Sequence, residues 1–133
     1  SIYIKMTMME PQRFLAQFNQ PIPKLCTGKR DATNVPNQAL ALLNDPFVSA
    51  MARGWANRLV ADGATAPEHR AQEIFEAAFG RAPDDAEVDR VMKLAARCAE
   101  LRGADTHAMM TCQPVWQDVA HAIFNAKEFI YVQ

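Results

Sequence analysis

Apolar residues recur at spacings of three and four along most of the chain, which is the pattern of helices that bury one face. The clearest stripe consists of Val48, Met51, Ala52, Trp55 and Leu59. It follows Asp45 and Pro46, which suit the N-cap and the first turn of a helix. Gly63 is the predicted end, because glycine accepts the left-handed backbone that commonly closes a helix.

Two further helices are predicted before Gly103. Residues 65–68 read Thr-Ala-Pro-Glu, which has the form of a capping box with Pro inside the first turn. Gly80 is the predicted end of that helix. The acids of residues 84–87 suit the positive end of the next helix dipole, and Gly103 is predicted to close this helix.

The ends of the chain predict shorter elements. A short helix begins near Pro11 and stops before Pro21-Ile22-Pro23, because proline cannot continue a hydrogen-bonded turn. Residues 104–113 are predicted to be a loop, and Pro114 opens a last long helix. Residues 127–132 fit either a final helical turn or a short strand.

The fold class follows from these segments. No two apolar segments alternate with period two and share a turn, so no hairpin is predicted. Short loops suit antiparallel helix neighbours. We therefore predict an all-α fold, a single helical domain over residues 1–133 with about five or six helices in an orthogonal or bundle-like arrangement.

Charge and composition limit the partners. Lys plus Arg number 14 and Asp plus Glu number 15, so no strong field attracts nucleic acid. No apolar run approaches the roughly 20 residues that span a bilayer. The sequence starts with Ser1 instead of Met and shows no signal peptide. Because Met is missing at position 1, we expect an excised fragment of a larger protein.

Metal chemistry has weak support. Cys26, Cys98 and Cys112 lack the Cys-x-x-Cys spacing of zinc and redox sites. Three separate thiols fit their odd number, as does one disulfide with one thiol. His107, Cys112 and His121 are acceptable zinc ligands by type, but their spacing matches no standard motif. We therefore predict no metal and no cofactor in this fragment.

Methionine is concentrated outside the clearest helices. Residues 6–9 and 109–110 contain five of the seven Met. Methionine adapts to irregular surfaces, so we expect an exposed Met and aromatic surface that packs against upstream domains of the parent protein or forms an oligomer contact. Filling of gaps in the core is the alternative.

The densest polar run covers residues 26–46. Its candidate ligand-binding residues are Cys26, Arg30, Asn34, Gln38 and Asp45. Arginine binds carboxylate or phosphate through paired bonds, and backbone N–H groups at a helix start near Asn34 favour an anion. In the competing structural interpretation, Thr33 or Asn34 and then Asp45 cap helices, and Gln38 satisfies buried backbone of a neighbouring segment. No catalytic residue is assigned.

The same run carries a family resemblance. The matching residues are Cys26-Thr27, Arg30, Thr33-Asn34, Pro36, Gln38-Ala39-Leu40 and Leu42-Leu43-Asn44-Asp45. Three shorter stretches agree with them, namely Ser1-Ile2-Tyr3, Gly80-Arg81 with Pro83 and Glu87, and Trp116 with Asn125 and Glu128-Phe129. Together they resemble the C-terminal part of a planctomycete domain of unknown function known by the letters PSD. Asn19 and Lys29 depart from its pattern, where Asp and a second Arg are usual.

The resemblance implies a context and no established reaction. The parent protein would be extracytoplasmic, periplasmic or secreted, and this region would follow c-type cytochrome modules that hold the haem. We therefore expect a non-catalytic module that completes the upstream part of its parent. The alternative is an enzyme fragment in which Arg30, Asn34, Gln38 and Asp45 form one wall of a shared active site.

Overall fold

The computed structural model describes residues 12–22, 24–26, 28–29, 36–63 and 66–130, without the side chains of Pro36, Thr106 and His107. The helices are α1 (Arg13–Gln17), α2 (Pro36–Asn44), α3 (Pro46–Ala61), α4 (Pro67–Phe79), α5 (Asp85–Leu101), a 3₁₀ helix (Thr106–Thr111), α6 (Gln113–Phe124) and α7 (Lys127–Ile130). The described residues contain no strand, which confirms the predicted all-α class. The closing segment is helical over its described part.

The chain divides into two compact units, residues 1–45 and 46–133. In the first unit, α1 packs beside α2. Phe14 and Phe18 lie on one side of α1 with ring centroids 5.0 Å apart. This short helix therefore has an apolar side, although α1 has no buried residue.

The core of the second unit forms where α3 and α5 pack on α6. Its buried residues are Ala52, Trp55, Ala56, Leu59, Ile74, Phe75, Val91, Ala95, Cys98, Ala99, Met109, Val115, Trp116, Val119, Ala120 and Ile123. The predicted stripe of α3 is buried except at Met51, which is 48 % exposed. Met51 instead lines a surface groove beside Trp55.

The predicted loop at 104–113 is wrong over most of its length, because residues 106–111 form the 3₁₀ helix. Met109 of this helix is buried in the core, and its carbonyl accepts a hydrogen bond from the Trp116 indole nitrogen at 3.0 Å. Met109 therefore fills the core, and the expected exposed surface is wrong at this residue. Residues 6–9 lie outside the described residues.

Three predicted helix ends are confirmed at glycines. Gly80 closes α4 in the left-handed conformation with a φ of 69°, and its N–H donates to the carbonyl of Glu76. Gly63 and Gly103 also have positive φ directly after α3 and α5. A side chain at Gly80 would be strained by this backbone. Glycine therefore suits the position at which the chain leaves α4 and turns towards α5.

The predicted start of α4 is wrong in its capping residue. Ala66 occupies the N-cap, and no side chain caps the helix there. Thr65, the expected cap, lies outside the described residues. A complete capping box is found instead at α5, between Asp84 and Glu87.

Candidate functional site

Three of the five predicted site residues are described. Gln38 donates from its side-chain amide to the Gln17 backbone carbonyl at 3.1 Å, which confirms the predicted bond to a neighbouring segment. The bond is exposed, so the predicted burial of this backbone is wrong. Cys26 is an exposed free thiol. Asp45 occupies the single position between α2 and α3, where the N-cap of α3 is expected.

Arg30 and Asn34 lie outside the described residues, so the convergence of all five side chains on one ligand stays a prediction. The α2 helix ends at Asn44, whose side-chain amide donates to the Leu40 carbonyl at 3.1 Å. This bond satisfies a carbonyl near the helix C-terminus. Asn44 therefore has a structural role at the end of α2.

An extensively bonded polar cluster lies around Arg81 in the second unit. The guanidinium donates to both oxygens of Glu87, from Nη1 at 2.8 Å and from Nη2 at 2.7 Å. It also donates to both oxygens of Glu128, from Nε at 2.8 Å and from Nη2 at 2.9 Å. Nη1 also reaches the Ala82 carbonyl at 3.2 Å. One planar cation therefore joins two carboxylates through paired bonds.

Local sequence explains how these groups are positioned. Gly80 ends α4, so Arg81 begins the turn that leads to α5. The Asp84 carboxylate accepts the Glu87 amide at 2.6 Å, and the Glu87 carboxylate accepts the Asp84 amide at 2.9 Å. This capping box holds the Glu87 side chain in the position in which it accepts the hydrogen bonds of Arg81. Glu128 arrives from α7, which is distant in sequence.

Two aromatic rings lie against the Arg81 guanidinium. The Arg81 guanidinium carbon lies 5.2 Å from the ring centroid of Phe75 and 5.8 Å from that of Phe79. The two rings meet edge to face at 5.0 Å. A guanidinium stacks favourably on aromatic faces while its edge makes hydrogen bonds.

The electrostatics of the cluster favour a positioning role over acid or base catalysis. Hydrogen bonds from Arg81, followed by the Asp84 amide, lower the pKa of Glu87 to about 2. The bond from Arg81 also lowers the pKa of Glu128, and the two carboxylates raise the pKa of Arg81 itself. A general base needs a pKa near the working pH, so these carboxylates are poorly suited to proton transfer.

A second arginine is buried in the same unit. The Arg70 guanidinium lies 4.9 Å from the Trp116 ring centroid, and its Nη1 donates to the Met110 carbonyl at 3.4 Å. Its Nε lies 3.7 Å from a Glu73 carboxylate oxygen. Burial lowers the pKa of Arg70 and raises that of Glu73. This cluster joins α4 to the 3₁₀ helix and α6.

Two grooves flank α7. A groove of about 330 Å³ is lined by Met51, Trp55, Arg58, Ala77, Ala78, Phe124 and Phe129. A groove of about 270 Å³ is lined by Phe75, Phe79, Glu87, Arg90, Val91, Leu94, Ala122, Ile123, Ala126 and Glu128. We call them the Met51 groove and the Leu94 groove. Both are mainly apolar, which suits binding of another surface more than chemistry.

Metal binding finds no support within the described ranges, where no group of three His, Cys, Asp or Glu side chains is placed to hold an ion. Asp118, which lies three residues before His121, accepts two bonds from Arg102, from Nε at 2.6 Å and from Nη2 at 2.8 Å. Within the described part of the chain, all three cysteines are free thiols, and Cys98 is buried as expected of a small apolar residue. No described helix has the length and apolar character required to cross a membrane.

These features define a class of protein. It is an all-α module with apolar grooves, in which arginines pair with carboxylates of the same chain. Residues 1–95 match the family PSD1, described as a protein of unknown function (DUF1553), and the chain belongs to this family. The match includes Arg81 and Glu87, whereas Glu128 lies beyond it. Comparison with curated proteins gave no match, and comparison with solved structures gave none.

Sequence reasoning missed both arginine clusters as sites. Asp84 and Glu87 have the spacing of a capping box, which was an available signal. Arg70 precedes the buried Ile74 by four residues, so helical periodicity places it on the inward face. The pairing of Arg81 with Glu128 had no local signal. Both residues appeared in the family resemblance, but in separate stretches.

Proposed function

We propose that the chain is a non-catalytic interaction module that packs against, and completes, an upstream part of a larger parent protein. The observation that carries this proposal is the Met51 groove. Met51 is 48 % exposed and Phe129 is 41 % exposed, although both are large and apolar. Clustered exposed apolar side chains commonly mark contact surfaces.

The neighbouring charges support binding over catalysis. Glu87 and Glu128 are held by Arg81, and Asp118 is held by Arg102. Carboxylates engaged in this way are not available to a substrate without breaking the fold's own bonds. The Leu94 groove, which Glu87 and Glu128 line, is mainly apolar.

The wider context of the proposal rests on the family resemblance alone. We infer a planctomycete-type, extracytoplasmic parent in which cytochrome c modules precede this region and hold the haem. The fragment itself would bind no cofactor. A purified fragment that folds and shows no haem absorption or bound metal is the expected result, and stoichiometric metal or haem would contradict it.

A groove variant tests the contact. Met51→Glu places a charge in the Met51 groove and should weaken binding to the separately expressed upstream part of the parent by about tenfold or more. Asn57→Glu adds the same charge at an exposed position of the same helix, away from the residues that line this groove, and serves as the control. Titration calorimetry measures both affinities. Equal binding by the wild type and Met51→Glu would contradict the proposal.

A further inference from the structure

The short helix α7 forms a wall of both grooves. Glu128 lines the Leu94 groove, and the next residue, Phe129, lines the Met51 groove. Despite this central position, α7 has no buried residue. Its attachment to the rest of the unit therefore depends on a few side-chain contacts and not on burial in the core.

Those contacts are few and specific. Arg81 donates to both oxygens of Glu128, and the Phe129 ring lies 5.2 Å from that of Phe124. The amides of Phe129 and Ile130 both donate to the Ala126 carbonyl, each at 3.1 Å. The backbone bonds are local, whereas the Arg81–Glu128 ion pair and the Phe129–Phe124 ring contact join α7 side chains to residues before Asn125.

The two sides of the ion cluster are held unequally. Arg81 keeps Glu87, the Ala82 carbonyl and two aromatic rings when Glu128 is removed. Among the described residues, Glu128 forms hydrogen bonds only with Arg81. Release of Glu128 would therefore leave the Arg81 side of the cluster in place and would leave α7 held by the weaker Phe129–Phe124 ring contact.

We propose that α7 is a strap, latched by the Arg81–Glu128 ion pair, that opens about residues 125–126 and joins the two grooves into one longer apolar surface. Opening would separate the ring of Phe129 from that of Phe124, and the Phe124 ring also stacks on Trp55 at 5.5 Å. The latch is exposed and ionic, so salt screens it. The proposal of a strap depends on the contacts of α7 and not on the proposed docking role. If both hold, the strap would control how much apolar surface is available for docking.

Hydrogen exchange of individual amides tests the strap. Glu128→Gln removes the charge while keeping the side-chain shape, and the Phe129 and Ile130 amides should then exchange about tenfold faster, with α3 and α4 unchanged. Asp118→Asn weakens the other paired arginine–carboxylate bridge and should leave the α7 amides unchanged. High salt applied to the wild type should reproduce the effect of Glu128→Gln. This measurement does not depend on the folding of a variant.

Several results would overturn the proposal. They are an unchanged α7 exchange rate in Glu128→Gln, an equal acceleration in α3 and α4, a response of α7 to Asp118→Asn, or α7 amides that are unprotected in the wild type. A second measurement reports the uncovered surface. Binding of an apolar fluorescent dye should rise in Glu128→Gln and in high salt, and unchanged dye binding would show that no apolar surface is uncovered.

Discussion

Two arginines of the second unit lie against aromatic rings in opposite surroundings. Arg70 has 0 % exposure and lies over Trp116, with the Met110 carbonyl at 3.4 Å. Arg81 is exposed and makes bonds of 2.7–2.9 Å to two carboxylates. The buried cation thus lies against a ring and a backbone carbonyl, whereas the partly exposed cation has short bonds to carboxylates in addition to its ring contacts.

The difference shows how burial and solvent exposure change the contribution of an arginine to the fold. Burial opposes the charged form of Arg70, whose pKa is lowered by desolvation. Its side chain therefore contributes mainly through shape and ring contact. The Arg81 side chain is partly exposed to solvent, so its ion pairs gain modest energy but fix which segments meet. We expect the buried centre to control stability and the exposed centre to control the position of α7.

The largest expected effect is at the buried centre. Trp116→Ala removes a side chain with 0 % exposure and leaves the Met109 carbonyl without its indole donor. We expect unfolding free energy to fall by about 3–5 kcal/mol. Urea denaturation measures it. A loss below that of a typical surface substitution would remove the distinction between the two centres.

A pair of substitutions separates charge from shape at the same centre. Arg70→Met keeps much of the side-chain volume, and Arg70→Ala leaves a cavity. We expect Arg70→Ala to be less stable than Arg70→Met by about 2 kcal/mol, because packing outweighs charge when a cation is fully buried. Denaturant midpoints of the two variants measure the difference. Equal midpoints would mean that the charge itself matters most.

At the exposed centre, geometry should matter more than charge. Arg81→Lys keeps the cation but cannot form paired bonds with both carboxylates. We expect it to lower the melting temperature more than Arg102→Lys, because Arg102 serves one carboxylate and Arg81 serves two. Thermal unfolding by circular dichroism compares the variants. A larger drop in Arg102→Lys would contradict this ranking.

Acid should weaken the exposed centre in a defined range. The pKa of Glu87 is lowered to about 2 by Arg81, then by the Asp84 amide and the Arg90 charge. A lowered carboxylate pKa stabilises the fold above the unfolded value of about 4.3, and this stability is lost as pH falls through about 2.

Glu87→Gln tests that range, because it removes the titrating group and leaves Glu128 with Arg81. The stability advantage of the wild type over this variant should be constant from neutral pH to about pH 5 and should shrink towards pH 2. Thermal unfolding across this series measures it. An advantage that does not change with pH would mean that Glu87 does not titrate as its contacts require.

The smallest expected effect lies in the first unit. Gln38→Leu removes the exposed bond to the Gln17 carbonyl, and we expect a loss of about 0.5–1 kcal/mol. A larger loss, near 3 kcal/mol, would indicate the buried backbone that the sequence suggested. Leucine keeps the helix propensity of α2, so urea denaturation reports the lost bond with little contribution from the helix.

Local features of the fold were predictable because their causes are local. Gly80 and Gly103 end helices, and the apolar stripe of α3 faces the core except at Met51. The 3₁₀ helix was missed because it is held by Trp116, which contacts Met109 from the next helix. Its sequence alone lacks the periodicity of a helix.

The candidate site was less predictable than the fold. The polar run at 26–46 attracted attention by composition, and of its candidates Gln38 has a bond to the backbone of a neighbouring segment. The Arg81 cluster joins residues 47 positions apart. Composition cannot reveal such a pair, because the bond depends on the path of the chain between its partners.

The sequence by itself determined the helical class, the helix ends at glycine and proline, and the capping box of α5, since each depends on residues within a turn or two. Tertiary structure alone decided that Arg70 lies on Trp116, that Met109 enters the core, and that Arg81 holds α7 through Glu128. Those outcomes require contacts between helices. The free energy of such a contact depends on packing and desolvation in both helices. No single segment contains that information.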